Sequence, residues 1–413
     1  MYSKATSQRL LYTLFVLQSL YTASQIAVFT LIVIVAARLS GSERMAGFPS
    51  STLTFAQALS ALPIALIMGR FGRRLGLTLG YAAGALGGVV GIIAVTQAVF
   101  PLLLVSAALL GIGRASSDQG RFAAGEMFPE AERARMIGRL VFAGAISAIV
   151  GPLLVSPSSS IMQSLGLHPD AGPWGVAVVF TSLAALLAFF LLRPDPMLVA
   201  RSIAEAERKN TAGDQPQIAR SLSTLLRLPK VQLAITGALV SQTVMVILML
   251  MTPLHMDHNH HGRDVISMVI SMHTLGMFGL SPLTGYLIDR YGRVAMLFAG
   301  ALILIISALL APLSVNQYIL ALALFLLGLG WNFGYVSSTS LLADALEGEE
   351  RARVQGINDS LSFFVAGTGG LAAGALFESG GYAAISMAGL LLTLVLVAAI
   401  FWFQRPQLRV QSA

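Results

Sequence analysis

Apolar residues in this chain come in runs of roughly the length of a bilayer-crossing helix, about 20 residues, with polar and charged residues gathered between them. Twelve such runs can be marked: 10–37, 51–69, 75–97, 101–123, 137–155, 174–192, 231–253, 265–288, 294–314, 318–343, 354–377 and 382–403. Runs of this length predict spanning α-helices, because in hydrocarbon each segment must satisfy its own backbone hydrogen bonds. The first run, Leu10 to Ala37, is too long for the apolar core of a signal peptide and reads as a retained spanning helix. One stretch breaks the pattern. Residues 193–230 hold basic, acidic and amide side chains with no run long enough to span, so they read as a linker, partly helical around Ser202 to Lys209. The pattern therefore divides the chain into a six-helix half (1–192), a linker (193–230) and a second six-helix half (231–413).

Composition agrees. Of 413 residues, 56% are hydrophobic and 11% charged, with a mean hydropathy of +0.78, against about 25% charged in a soluble domain. The fold class is an all-α membrane protein. The net charge of +7 does not point to nucleic acid, because the basic residues alternate with the apolar runs. With the N-terminus inside, every Arg and Lys except Arg38, Arg44, Arg263 and Arg114 falls at a cytoplasmic loop, tail or helix end. Both termini are thus expected in the cytoplasm, and the loop from Leu254 to Asp264 outside. The absence of cysteine excludes disulfides, thiolate metal sites and thiol nucleophiles. No Gly-x-x-x-x-Gly-Lys run is present for ATP-driven transport. No nucleophile–base set stands out either, so neither an enzyme nor a resident cofactor is expected.

The two halves repeat. Gly-Arg-Phe-Gly-Arg at 69–73 returns as Asp-Arg-Tyr-Gly-Arg at 289–293, and Glu-Arg-Ala-Arg-Met-Ile-Gly at 132–138 returns as Glu-Arg-Ala-Arg-Val-Gln-Gly at 350–356. The two displacements nearly match and both fall in short cytoplasmic loops, which indicates a duplicated six-helix unit. Secondary transporters are commonly built so, around a central site opened alternately to each side.

The segment Met245 to Met277 holds seven of the 16 methionines and five of the six histidines. Met245 and Met249 are four apart, as are His273 and Met277, and side chains at that spacing share a helix face. If the two segments are antiparallel neighbours, three thioethers and an imidazole face one another in an apolar wall. Thioether sulfur is soft and favours cuprous copper. At 1.5 Å of rise per residue, Met249 is placed outermost, Met245 and His273 share a depth, and Met277 lies deepest. Only His273 must lose a proton to bind, so affinity is expected to fall modestly below about pH 6. The alternative for the methionines is ordinary packing, and for His273 a hydrogen bond to a neighbouring helix. Met268 and Met272 point away from this face and read as packing. In the outer loop, His255, His258, His260 and His261 form a second constellation, either capturing divalent metal at the mouth or simply solvated.

Within the spans, Arg114 and Asp118 sit four apart. They read as a structural ion pair, a proton-coupling element with Asp118 taking the proton, or an anion site at Arg114. Gln18, Tyr21 and Gln25 line the first helix at helical spacing. Trp331, Asn332 and Tyr335 form an aromatic-polar patch in the tenth helix, either core or a platform for a flat ring.

Gly285-Tyr-Leu-Ile-Asp289-Arg290-Tyr-Gly292-Arg293 resembles the loop signature of the major facilitator superfamily. The resemblance implies that fold, with Asp289, Arg290 and Arg293 as a conformational latch at the cytoplasmic side. The first-half copy departs from the signature, with Gly69 in place of the acid and Ala65 in place of the leading glycine. Met245-x-x-x-Met249 followed by His273-x-x-x-Met277 resembles the CcoA-type copper importers, whose branch also includes riboflavin transporters. That resemblance implies copper import across a bacterial inner membrane in support of haem–copper oxidase assembly. It further implies the lipid bilayer, a copper chaperone and oxidase assembly factors as partners. The alternatives are transport of riboflavin or another small organic solute, and a metal sensor or scaffold that binds without transport.

Overall fold

The computed structural model describes residues 2–210, 220–346 and 348–411, all helix, turn or irregular chain. The chain divides into two units, one of residues 1–41 and 48–216, the other of 42–47 and 217–413. Part of the expected linker, 211–219, lies outside the described residues.

The first unit contains α1 (Lys4–Ser40), α2 (Phe48–Phe71), α3 (Arg73–Thr96), α4 (Phe100–Glu126), α5 (Glu130–Leu153), α6 (Val155–Ser164), α7 (Gly172–Leu191) and α8 (Pro196–Asn210). The helices α5 and α6 form one bent crossing, turned by 44° just after Pro152, where proline removes a backbone donor. The second unit contains α9 (Leu222–Leu226), α10 (Pro229–His258), α11 (Arg263–Phe278), α12 (Ser281–Tyr291), α13 (Arg293–Leu310), α14 (Gln317–Asp344) and α15 (Gly348–Gln411). Of these, α11 and α12 make one broken crossing. The apolar part of α15 runs over 51 residues, Arg353–Phe403, more than twice the length a bilayer needs. It leaves helical geometry at Gly380 and Gly381, where Gly381 has φ 62°. Those glycines make the turn between two crossings, so the described helices account for twelve.

Packing repeats as the sequence does. In the first unit α3 lies on α4 and α7, α2 on α4, and α1 on α5 and α7. In the second, α13 lies on α14 and α15, α11 on α14, and α10 on α15 and α14. Small residues allow the approach, since lipid supplies no hydrophobic drive between helices. On α3, Gly80 faces the Ser116 side chain of α4 and Gly91 faces the Trp174 ring of α7, and a Cβ at either would collide. Both repeated loops turn on a left-handed glycine: Gly72 (φ 101°) donates to Met68 O at 3.0 Å, and Gly292 (φ 90°) to Ile288 O at 2.9 Å. An L side chain would be strained at either position.

Candidate functional site

The site builds outward from α11. Gly276 on α11 comes against the Phe325 carbonyl of α14, and Gly328 on α14 against the His273 carbonyl, so no Cβ fits between the two backbones. This approach brings the buried His273 ring to α14, where Nδ1 lies 3.0 Å from the Leu324 carbonyl oxygen. A carbonyl only accepts, so Nδ1 carries the hydrogen and Nε2 presents its lone pair. Nε2 is buried and has no hydrogen-bond partner. Metal-binding imidazoles are commonly oriented in this way by a backbone carbonyl. One turn on, the break between α11 and α12 leaves the Met277 carbonyl to Asn332 of α14, whose Nδ2 donates to it at 2.6 Å and to Ser281 Oγ at 2.9 Å.

Met245 on α10 is buried, while Met249 and Met277 are half-buried. The helices carrying these four residues touch each other only sparsely, and α14 packs on both. The backbones of α10 and α11 thus approach each other less closely than either approaches α14. The glycine contacts at 276 and 328 are the physical reason, because they draw α11 toward α14. Met268 and Met272 are also half-buried.

Further along α14, Trp331 donates from Nε1 to Gln242 Oε1 of α10 at 2.9 Å. Its ring stacks on Tyr335 at 5.0 Å and 12°, and meets Phe278 edge-on at 6.1 Å.

The outer histidines lie along a helix end and the turn that follows it, with His255 close enough to His258 and His261 for their charges to interact. The helix α10 continues to His258 instead of ending at 253, which spreads the four imidazoles over a helix end and a turn. His255 stacks on Tyr382 at 4.6 Å and 9°, and the Tyr382 hydroxyl lies 2.8 Å from Thr252 Oγ1. His258 Nε2 is 3.6 Å from Glu43 Oε1, and the His258 ring lies 5.7 Å from Phe377. His260 occupies a left-handed turn position (φ 60°), and His261 Nε2 is 2.8 Å from Val315 O. Among the described residues no group of three or more His, Asp or Glu is placed to hold a metal ion. His255, His258 and His261 each also meet another group, Tyr382, Glu43 and the Val315 carbonyl respectively.

In the first unit, Arg114 Nε lies 3.5 Å from Asp118 Oδ1, and Gln57 Nε2 donates to Asp118 Oδ2 at 2.7 Å. Ser117 donates to Gln18 Oε1 at 2.8 Å, and Tyr21 to the Leu110 carbonyl at 2.5 Å. The Arg114–Asp118 pair thus sits in a polar patch formed by α1, α2 and α4.

At the repeated loops, Arg293 pairs with Asp289 at 3.0 Å and with Asp344 at 2.9 Å. Arg290 instead donates to the Tyr286 hydroxyl at 3.0 Å. In the first unit Arg73 takes both carboxylate oxygens of Glu126, at 2.7 and 2.9 Å. Arg73 corresponds to Arg293 and Glu126 to Asp344, so the ion pair is duplicated along with the loop. A second pair is duplicated too: Lys4 with Glu132 at 3.1 Å, and Arg220 with Glu350 at 2.8 Å. Sequence reading missed Glu126, Asp344 and Arg220. The displacement already seen in the loops, carried a few residues further, would have found the two acids. It also missed Asp195, whose oxygens accept from the backbone N–H groups of Arg73, Arg74 and Met197 at 3.1, 3.0 and 2.8 Å. This carboxylate caps α3 in the half where the loop acid is replaced by Gly69.

The sequence matches the Major Facilitator Superfamily over residues 14–262 and 233–412. It is 35% identical over 368 residues to the uncharacterized MFS-type transporter YddS of Bacillus subtilis, covering 88% of this chain and 84% of that one. To YdeG of the same organism, also an uncharacterized MFS-type transporter, it is 33% identical over 403 residues, covering 97% and 93%. The riboflavin transporter RfnT of Brucella anthropi is 29% identical over 382 residues, covering 92% of each chain. Among solved structures, a bacterial homolog of the human lysosomal transporter Spinster superposes with a TM-score of 0.71 at 14% identity, covering 98% of each chain. A D-xylose–proton symporter superposes with a TM-score of 0.69 at 14% identity, covering 95% and 97%. These structural likenesses concern the fold alone. With twelve crossings, a repeated glycine-turned loop and a family match along nearly its whole length, the chain belongs to the Major Facilitator Superfamily.

Proposed function

We propose that this transporter imports copper, as the cuprous ion, across a bacterial inner membrane by alternating access, with both termini in the cytoplasm. The observation that carries the reading is the buried Nε2 of His273. Its lone pair has no partner, and its tautomer is held by the Leu324 carbonyl. Met249 receives the ion, Met245 and His273 hold it, and Met277 passes it inward. Soft thioethers and one neutral imidazole suit a monovalent soft ion. Two or three ligands at a time leave it able to depart. The delivered copper serves haem–copper oxidase assembly, through a chaperone or assembly factor on the cytoplasmic side.

The test is copper accumulation, measured by mass spectrometry in cells lacking the gene and carrying either the parent chain or Met245→Ala or His273→Ala. The parent restores accumulation and both variants fail to, at equal protein levels. Undiminished accumulation in the His273 variant would falsify the assignment.

A second reading, uptake of a flat organic solute such as riboflavin, is favoured by the relation to RfnT and by the Trp331–Tyr335 stack. Riboflavin uptake lost in Trp331→Ala but kept in His273→Ala would select it. Equal copper accumulation with and without the protein would favour binding without transport.

A further inference from the structure

Three arginines of the first unit gather where α7 ends, among the basic residues of the loops. The guanidinium carbons of Arg74 and Arg193 lie 5.6 and 5.5 Å from the centroid of one ring, Phe189. Arg9 donates to the Arg193 carbonyl oxygen. Among the described residues no carboxylate lies within ion-pair distance of any of the three guanidinium groups. The acids nearby are already used. Asp195 accepts backbone N–H groups with both oxygens, and Glu126 is taken by Arg73. An aromatic face attracts a cation but leaves its charge and its N–H donors unsatisfied.

Below the arginines the surface turns apolar. Phe189 and Phe190 meet edge to face at 5.1 Å, and Leu186 and Phe190, one turn apart, are 56% and 59% exposed. In a helix that crosses a bilayer such side chains lie against acyl chains.

We propose that this corner binds the headgroup of an anionic phospholipid, with Arg74, Arg193 and Arg9 on the phosphate and the acyl chains along Leu186 and Phe190. Guanidinium forks match phosphate oxygens in pairs. Basic pockets beside spanning helices are suited to such headgroups. The occupant is a lipid instead of free phosphate because the apolar surface continues the site into the hydrocarbon.

The experiment is native mass spectrometry of the full-length protein in detergent, titrated in parallel with phosphatidylglycerol, phosphatidylcholine and inorganic phosphate. The parent chain should retain phosphatidylglycerol in preference to phosphatidylcholine. Arg74→Gln together with Arg193→Gln should weaken phosphatidylglycerol retention by roughly tenfold or more and leave phosphatidylcholine unchanged. Each single variant should fall between, which keeps the test informative if the double variant does not fold. Arg121→Gln removes an arginine that also lies over one ring, Phe122 at 4.9 Å, and should retain the lipid as the parent does. Equal retention of the two lipids by the parent, unchanged retention in the Arg74 and Arg193 variants, or displacement of phosphatidylglycerol by equimolar inorganic phosphate would each overturn the proposal.

Discussion

The ring of His273 reaches from α11 to the Leu324 carbonyl of α14, with Nδ1 and oxygen 3.0 Å apart. This bond separates two roles that one substitution would otherwise confuse. An interhelical hydrogen bond in a membrane protein contributes about 0.6–1.7 kcal/mol. His273→Gln offers the carbonyl a donor but no ring lone pair. We expect it to melt near the parent temperature while copper accumulation falls to background. If accumulation instead tracked the melting temperature across Gln, Asn and Ala variants, the imidazole would be only a structural tie.

Asp195 is expected to stabilise the start of α3 as an N-terminal cap does. Asp195→Ala should cost about 1 kcal/mol, read as a lowered melting temperature in detergent. Adding Gly69→Asp would supply Arg73 with the acid that Arg293 already has in Asp289. Part of the loss should return. A double variant no more stable than Asp195→Ala would mean the two carboxylates are not interchangeable.

The duplicated ion pairs should differ in strength. Arg73 has Glu126 as its acid, whereas Arg293 is shared by Asp289 and Asp344. Double-mutant cycles should give a coupling of about 0.5–1 kcal/mol for Arg73 with Glu126, whose carboxylate is partly solvated. Coupling for Arg293 with Asp344 should be smaller, because Asp289 remains to hold the guanidinium. Equal couplings would contradict this.

Gly91 lies under the buried ring of Trp174. Gly91→Val should force that ring or α7 to shift and destabilise by about 1–3 kcal/mol. Gly285→Ala, where no atom lies within contact range of an added Cβ, serves as the comparison and should melt as the parent does. Thermal denaturation of the purified proteins decides between them.

The contacts that the outer histidines make with other groups lead to a further expectation. His260→Ala and His261→Ala, made together, should leave the initial rate of copper accumulation unchanged over a range of external copper. A raised half-saturating concentration would instead assign these histidines a capture role at the mouth.

Periodicity alone reached far for this protein. Long apolar runs, the placement of Arg and Lys, and two loops repeated at nearly one displacement determined an all-α membrane chain of twelve crossings in duplicate halves. The reason is that hydrocarbon leaves a spanning segment no other means of satisfying its backbone. The same spacing put Met245 with Met249 and His273 with Met277, since a shared helix face is a local property.

What lay across from each face was not local. Only the tertiary structure turned His273 toward Leu324, because Gly276 and Gly328, distant in sequence, let two backbones meet. It alone set the contacts of the outer histidines, since α10 keeps its helix to His258 and the rings of His255 and His258 and the His261 Nε2 meet Tyr382, Glu43 and Val315. It alone brought Asp195 to the start of α3, in the half where Gly69 stands in place of the loop acid. A linear pattern records which side chains share a face, but the partner of that face is chosen by close packing, to which residues far apart contribute together.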